Sequence, residues 1–236
     1  MLSPAAAGAR AREVAVMEWK HGKRWVYSIT YDEGCQLLLE HALPLHRRYG
    51  IPGHVALVAA QVGVPRDVPG SSYDGMMILS RRELDALSGE GWGVSCHGHT
   101  HAGISVANAA YEVVEARRVL ERTLAREVPL FCVPNNNESY PAALAVAGEA
   151  GYTAIMTITD MVNLPEGLLR VHPSGPVPAP PAGPTPVAAG VLQLGRVPLH
   201  SEYPPPFYSR FDAYKRLHQA RDAGGWVIDY CHCPVP

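Results

Sequence analysis

Apolar residues along the chain fall into two rhythms. Short runs rich in β-branched and aromatic side chains recur as RWVYSIT (24–30), HVALVAA (54–60), GVSCH (93–97), PLFCVP (129–134), YTAIMTIT (152–159), VLQLGRVPL (191–199) and WVIDYCHC (226–233). Near-continuous apolar runs of this length are the pattern of strands buried on both faces. Between them the spacing turns helical. GCQLLLEHALPLHRRYG (34–50), YPAALAVAGEAG (140–151) and RFDAYKRLHQARDAGG (210–225) read as helices. SRRELDALSGEGW (80–92) carries Ser80 and Glu83 at capping-box spacing, Leu84 and Leu87 inward, and Gly89 as its stop. From Asn108 a long amphipathic helix is expected, with Ala110, Val113, Val114, Arg117, Leu120 and Leu124 along one stripe. Strands alternating with helices predict an α/β fold with a largely parallel sheet, open or closed into a barrel. In such folds the chemistry gathers where strands end and loops begin.

The 236 residues are read as one domain spanning 1–236, with an N-terminal arm (1–22) and a Pro-rich linker loop, PSGPVPAPPAGPTP (173–186). With 47% hydrophobic and 18% charged residues the chain can bury a sizeable core. A net charge of −2 without a basic block argues against nucleic acid as a partner. No stretch is long and apolar enough for a membrane span, and the first residues lack the apolar run of a signal peptide. The expectation is a soluble, cytoplasmic protein with a small-molecule substrate; its oligomeric state is left open. Five cysteines, an odd number, do not read as a disulfide framework in that setting. They are expected as small buried packing residues, although all five lie beside candidate site residues.

Those candidates sit at four strand ends. Asp32 and Glu33 follow the first strand, His97 and His101 the third, Asn135 the fourth, and His232 the last. Taken singly, an Asp-Glu pair is usually solvated, and a lone HxxxH is a weak signal. Their joint placement suggests convergence on one pocket. Two histidines four apart lie on one face of a helical turn, and a carboxylate from elsewhere completes a two-His, one-carboxylate set with an open position for water. His99, between them, is expected to point away.

The same stretches resemble the polysaccharide deacetylase (NodB-homology) family. SITYDEG resembles its TFDDG motif, and GEGWGVSCHGHTHAG its H-[ST]-x-x-H motif. FCVPNNNESYPAALAVAGEAGYTAIMT is similar to its third block, and GGWVIDYCHC to the closing block that ends in L-x-H. The pieces occur in family order over residues 25 to 233. The resemblance implies a distorted, incomplete (β/α) barrel and an enzyme that hydrolyses an N-acetyl amide with one divalent metal ion. It implies Asp32 as general base, Glu33, His97 and His101 as metal ligands, and His232 as general acid. The ion is expected to be zinc, with cobalt, nickel, manganese or iron as alternatives. Tyr31, Cys132, Asn135 and Tyr230 are the expected substrate-pocket residues.

The chain also departs from the family pattern. Glu33 replaces an Asp, extending the carboxylate by roughly 1.5 Å. Cys132 stands where many members carry the arginine that orients the base. Asn135 replaces an aromatic residue, Tyr230 a leucine, and the D-x-W block has no counterpart. Rival readings are weaker. GHTH ends metallophosphoesterase patterns, but their GD-x-x-D and GNH blocks are missing. A binuclear amidohydrolase would carry HxH after its first strand. The expected function is metal-dependent hydrolysis of a linear amide, foremost N-deacetylation of a small sugar or metabolite. Deformylation, another C–N cleavage, or an inactive glycan- or metabolite-binding relative are the alternatives.

Overall fold

Seven parallel strands close into one barrel in the order β1 to β7. They are β1 (Val26–Glu33), β2 (His54–Leu57), β3 (Gly93–Cys96), β4 (Leu130–Cys132), β5 (Ala154–Ile158), β6 (Leu192–Pro198) and β7 (Trp226–Cys231). The computed structural model describes residues 19–71, 73–158, 162–164, 191–199 and 213–234. The Pro-rich loop 173–186 lies outside the described residues, as does the N-terminal arm up to residue 18. β1 and β7 pair over six residues, from Val26 with Trp226 to Tyr31 with Cys231, and this seam closes the barrel. The seven strands are one fewer than the eight of a complete (β/α) barrel.

Side chains alternate across each strand. Ala56, Cys132, Ala154, Met156, Leu194 and Ile228 fill the barrel interior as one buried cluster. Their neighbours Val55, Leu57, Phe131 and Ile155 face outward and pack with helical residues such as Leu38, Leu84 and Leu120. Complete burial of each such side chain is worth about 1.5–3 kcal/mol. The outer layer comprises α1 (Leu38–His41), α2 (Leu43–Tyr49), α3 (Arg81–Gly89), α4 (Ala116–Leu124), α5 (Tyr140–Ala147) and α6 (Ala213–Ala223). The capping box starts α3 as the sequence suggests, with Ser80 Oγ accepting from Glu83 N–H while the Glu83 side chain accepts from Ser80 N–H.

Three sequence expectations change. The long helix from Asn108 opens with a π-helical stretch, Ala110–Glu115, before α4. Its wider turn shifts the phase, so that Ala109, Val113, Ala116, Leu120 and Leu124 are buried and Ala110 is exposed. The HxxxH segment is not helical, because His101 adopts φ 72° and Gly98 φ 87°. Cys35 and Cys233 form a disulfide with Cα atoms 5.5 Å apart, although the cysteines suggest unbridged packing in sequence. Barrel closure brings these residues together across 198 positions. A cytoplasmic setting would keep such a pair as two thiols. Cys96, Cys132 and Cys231 are free.

Candidate functional site

The carboxyl-terminal mouth of the barrel holds a cavity of about 390 Å³, large enough for a sugar-sized ligand. Asp32, Glu33, His97, His101, Asn135, Tyr230 and His232 all line it. Arg66 and Tyr73 from the β2–α3 loop, and Arg196 from β6, line it as well.

Adjacent residues on a strand normally face opposite sides, yet both carboxylates reach the cavity. The reason lies in the backbone at Glu33, whose φ of 63° turns its side chain back toward the mouth. Glu33, His101 and Asn135 are three of the five non-glycine residues with positive φ among the described residues. Such conformations cost about 1–3 kcal/mol each and cluster at functional sites.

The histidine loop is held from outside the cavity. Glu112 in the π-helical stretch is buried, and its carboxylate accepts from His99 N–H (2.9 Å), Thr100 N–H (3.0 Å) and the Thr100 hydroxyl (2.6 Å). A Cβ at Gly98 would lie 3.1 Å from Glu112 Oε2, so the missing side chain allows this close approach. His99 points away and packs against Tyr111, with ring centroids 4.2 Å apart. The rings of His97 and His101 lie 5.0 Å apart.

Asp32 is fixed by a residue that sequence reasoning missed. Arg196 is fully buried and donates to Asp32 Oδ1 at 2.6 Å and Oδ2 at 3.1 Å. Its guanidinium also donates to Thr30 Oγ1 (3.1 Å) and lies over the Tyr230 ring at 4.6 Å. Burial alone would raise the Asp32 pKa, but Arg196 and His97 outweigh it and hold the carboxyl below the usual range. Arg196 thus stands in space beside Asp32, on β6, while Cys132 occupies the position on β4 where the family pattern has its arginine. In sequence, an arginine inside VLQLGRVPL reads as a side chain directed to solvent; only period-2 alternation with buried Leu194 signals otherwise.

His97 Nδ1 lies 3.0 Å from the Cys132 carbonyl oxygen. The ring nitrogen donates there, which leaves the Nε2 lone pair toward the cavity. Burial pushes the His97 pKa down to about 4, so the ring is neutral at neutral pH. His101 Nε2 lies 3.2 Å from Glu33 Oε1, and Glu33 Oε2 is buried without a hydrogen-bond partner among the described residues. Ligand atoms of Glu33, His97 and His101 all fall within 4.8 Å of one another. Two imidazoles and a carboxylate with one orphaned oxygen fit a divalent cation. Asp32, His97 and Cys132 form a second close set. It fits less well, because Asp32 is engaged by Arg196 and burial pushes the Cys132 thiol pKa well up.

His232 stacks on Tyr73 at 5.5 Å and meets the Tyr230 ring edge-on at 5.9 Å. Asn135 Nδ2 donates to the His101 carbonyl (3.1 Å) and braces the histidine loop. Two of the expected pocket residues lie elsewhere. Tyr31 faces the helices, where its hydroxyl meets His46 Nε2 at 2.7 Å and its ring stacks on Trp92, as alternation from inward Asp32 dictates. Cys132 lies beneath the cavity floor, its Sγ 3.8 Å from Asp32 Oδ1.

The sequence profile of the polysaccharide deacetylase family matches residues 20–155. The chain belongs to that family. Among solved structures, the BpsB deacetylase domain from Bordetella bronchiseptica is 13% identical, with a TM-score of 0.52 over 86% of this chain and 72% of that one. That likeness reflects a shared fold. The de-N-acetylase from Aggregatibacter actinomycetemcomitans is 12% identical over 57% of this chain and 64% of its own, with a TM-score of 0.47. The Streptococcus pyogenes deacetylase PplD, solved with acetate, is 13% identical over 72% and 63%, with a TM-score of 0.49. The chain therefore spans less than two thirds of the length of the latter two. No curated protein matches it in sequence.

Proposed function

We propose that the protein is an N-deacetylase of a small N-acylated sugar or metabolite, working with one divalent metal ion, zinc foremost. The observation that carries this reading is the convergence of Asp32, Glu33, His97, His101 and His232 on one cavity. Glu33, His97 and His101 would hold the ion. When bound, it supplies Lewis acidity toward the acyl carbonyl and lowers the pKa of water.

The chain's own residues handle the protons. Asp32 takes one from the attacking water. Its carboxylate is a weak base while Arg196 grips it, and so it suits a water that is already acidified. The Oδ2 edge faces His97 Nε2 at 3.8 Å and is the less tightly held of the two. Arg196 keeps that edge oriented. His232, directed by Tyr73 and Tyr230, gives a proton to the amide nitrogen as the C–N bond breaks, releasing the amine and acetate.

The test is acetate release from a panel of small N-acetyl sugars, using protein stripped by chelation and then reloaded with zinc, cobalt, nickel, manganese or iron(II). Reloading is expected to restore turnover. Asp32→Asn and His232→Ala should each lower kcat by roughly 10²–10⁴-fold while metal content stays unchanged. Formate release from N-formyl analogues in place of acetate would redirect the reading to deformylation. Metal-replete protein that releases neither acid from any member would overturn it.

A further inference from the structure

Arg66 is the cavity's unexplained charge. It is 3% exposed and lies in the loop between β2 and α3. The loop is stiff. Arg66 N–H donates to the Met76 carbonyl and Gly75 N–H donates back to the Arg66 carbonyl, both at 2.8 Å. Leu79 N–H and Gln36 N–H donate across to Gly34 and Met77 carbonyls at 2.9 and 2.8 Å, tying the loop to the segment that follows Glu33. The backbone that carries the guanidinium is therefore held in place, and the side chain is buried against the cavity.

Its donors are poorly satisfied. An arginine has five N–H donors. Here Nε reaches Ser71 Oγ at 3.4 Å, a long hydrogen bond, and Nη2 approaches Glu33 Oε1 at 3.6 Å, an ionic contact only. Nη1 is buried and has no hydrogen-bond partner among the described residues. A buried guanidinium left this open is costly unless a ligand supplies the acceptors. The rest of the cavity sharpens the point. Among the described lining residues Asp32 and Glu33 balance Arg66 and Arg196, so a divalent cation in the proposed site leaves an excess of positive charge there. A neutral amide does not compensate that excess, whereas an anionic group does.

We propose that Arg66 forms an anion-binding subsite, and that the substrate carries a carboxylate or phosphoryl group close to its scissile amide. This deepens the proposed deacetylase reading and rests on it for the identity of the reaction, though not for the binding. A planar fork suits either oxyanion through paired N–H donors. The subsite selects substrates by charge; Arg66 takes no proton and forms no bond in the reaction.

Calorimetry with glucosamine 1-phosphate, whose phosphate sits on the carbon next to the nitrogen-bearing one, and with glucosamine, on both the chelated and the zinc-loaded protein, measures the binding directly. The native protein should bind the phosphorylated sugar more tightly in both forms. Arg66→Gln should weaken that binding roughly 10- to 100-fold and leave glucosamine binding unchanged, while Arg66→Lys retains part of the preference. Turnover of N-acetylglucosamine 1-phosphate against N-acetylglucosamine should follow the same order in kcat/KM. Equal binding of the two sugars by native protein, or equal losses for both in Arg66→Gln, overturns the subsite. Charge-selective binding without acetate release would keep the subsite and sink the deacetylase reading. Acetate release insensitive to charge would do the reverse.

Discussion

Glu33 holds an uncommon backbone conformation and an uncommon side chain at once. Its φ of 63° is the left-handed region, where Asp is better tolerated than Glu. Glu33→Asp would therefore ease the backbone and restore the family residue. It would also withdraw the carboxylate by about one bond length from His101 Nε2, now 3.2 Å away. A misplacement of about 1 Å costs roughly 10²-fold in rate. The expected outcome is lower metal occupancy, lower activity, or both, read by metal analysis beside amide hydrolysis. Greater turnover in the Asp variant would mean the cavity is not shaped around the longer residue. Asp229 shows the opposite electrostatic situation from Asp32. On β7 it faces outward, buried next to Tyr27 and Cys231, and burial raises its pKa to about 6 from 3.8. The unfolded chain loses this proton first as pH rises, so stability falls between pH 4 and 6 and levels off above. The span amounts to about 3 kcal/mol at most. Asp229→Asn should gain on the native protein by up to that amount as pH rises from 4 to 7, measured by urea unfolding across pH. A stability difference that stays flat with pH would refute the assignment.

At the scale of elements, the site depends on segments that hold loops rather than on the strands alone. The π-helical stretch presents Glu112 to the histidine loop, and Glu112→Ala would strand the His99 and Thr100 N–H groups. His101 would lose its fixed position, and metal affinity is expected to drop roughly 10–100-fold, as for other residues that orient ligands; competition with a metal indicator dye reads it. Unchanged affinity would assign Glu112 to folding only. The disulfide acts on a second pair of segments. Cys35 lies two residues past Glu33, and Cys233 lies beside His232, so the bond ties a metal-ligand candidate's loop to the candidate acid's. The strands and helices were legible because apolar runs and capping residues are local signals, and Ser80 with Glu83 is the clearest case. The parts that were not legible are those set by closure and by loop conformation. HxxxH suggests a helical turn, but Gly98 and the Glu112 carboxylate stabilise another shape. Arg66 sits in a loop with no apolar rhythm to fix its direction. The Cys35–Cys233 pair follows from which strand ends meet, and chain order does not reveal that.

For the whole molecule, closure of β1 against β7 is what makes a single site from distant segments. The proposed ligands span β1 and the loop after β3, with β2 between them, and Asp32 is locked to β6 by Arg196. An ion bound there would cross-link the native barrel and nothing in the unfolded chain, apart from weak binding by scattered Cys and His. Metal should therefore raise thermal stability through mass action. At a free zinc concentration of 100 times Kd the gain is about 2.7 kcal/mol, which for a domain of this size corresponds to a rise in Tm of roughly 5–10 °C. Glu33→Ala removes the carboxylate and should abolish most of the rise, whereas Arg66→Gln leaves the three ligands in place and should retain it. Differential scanning fluorimetry on chelated and zinc-titrated samples separates the two variants without a substrate. An equal rise in native and Glu33→Ala proteins would place the ion elsewhere. A larger rise in Arg66→Gln than in the native protein would instead show that the guanidinium beside Glu33 opposes the ion, giving the arginine a measurable effect on metal affinity as well as on the charge of the substrate.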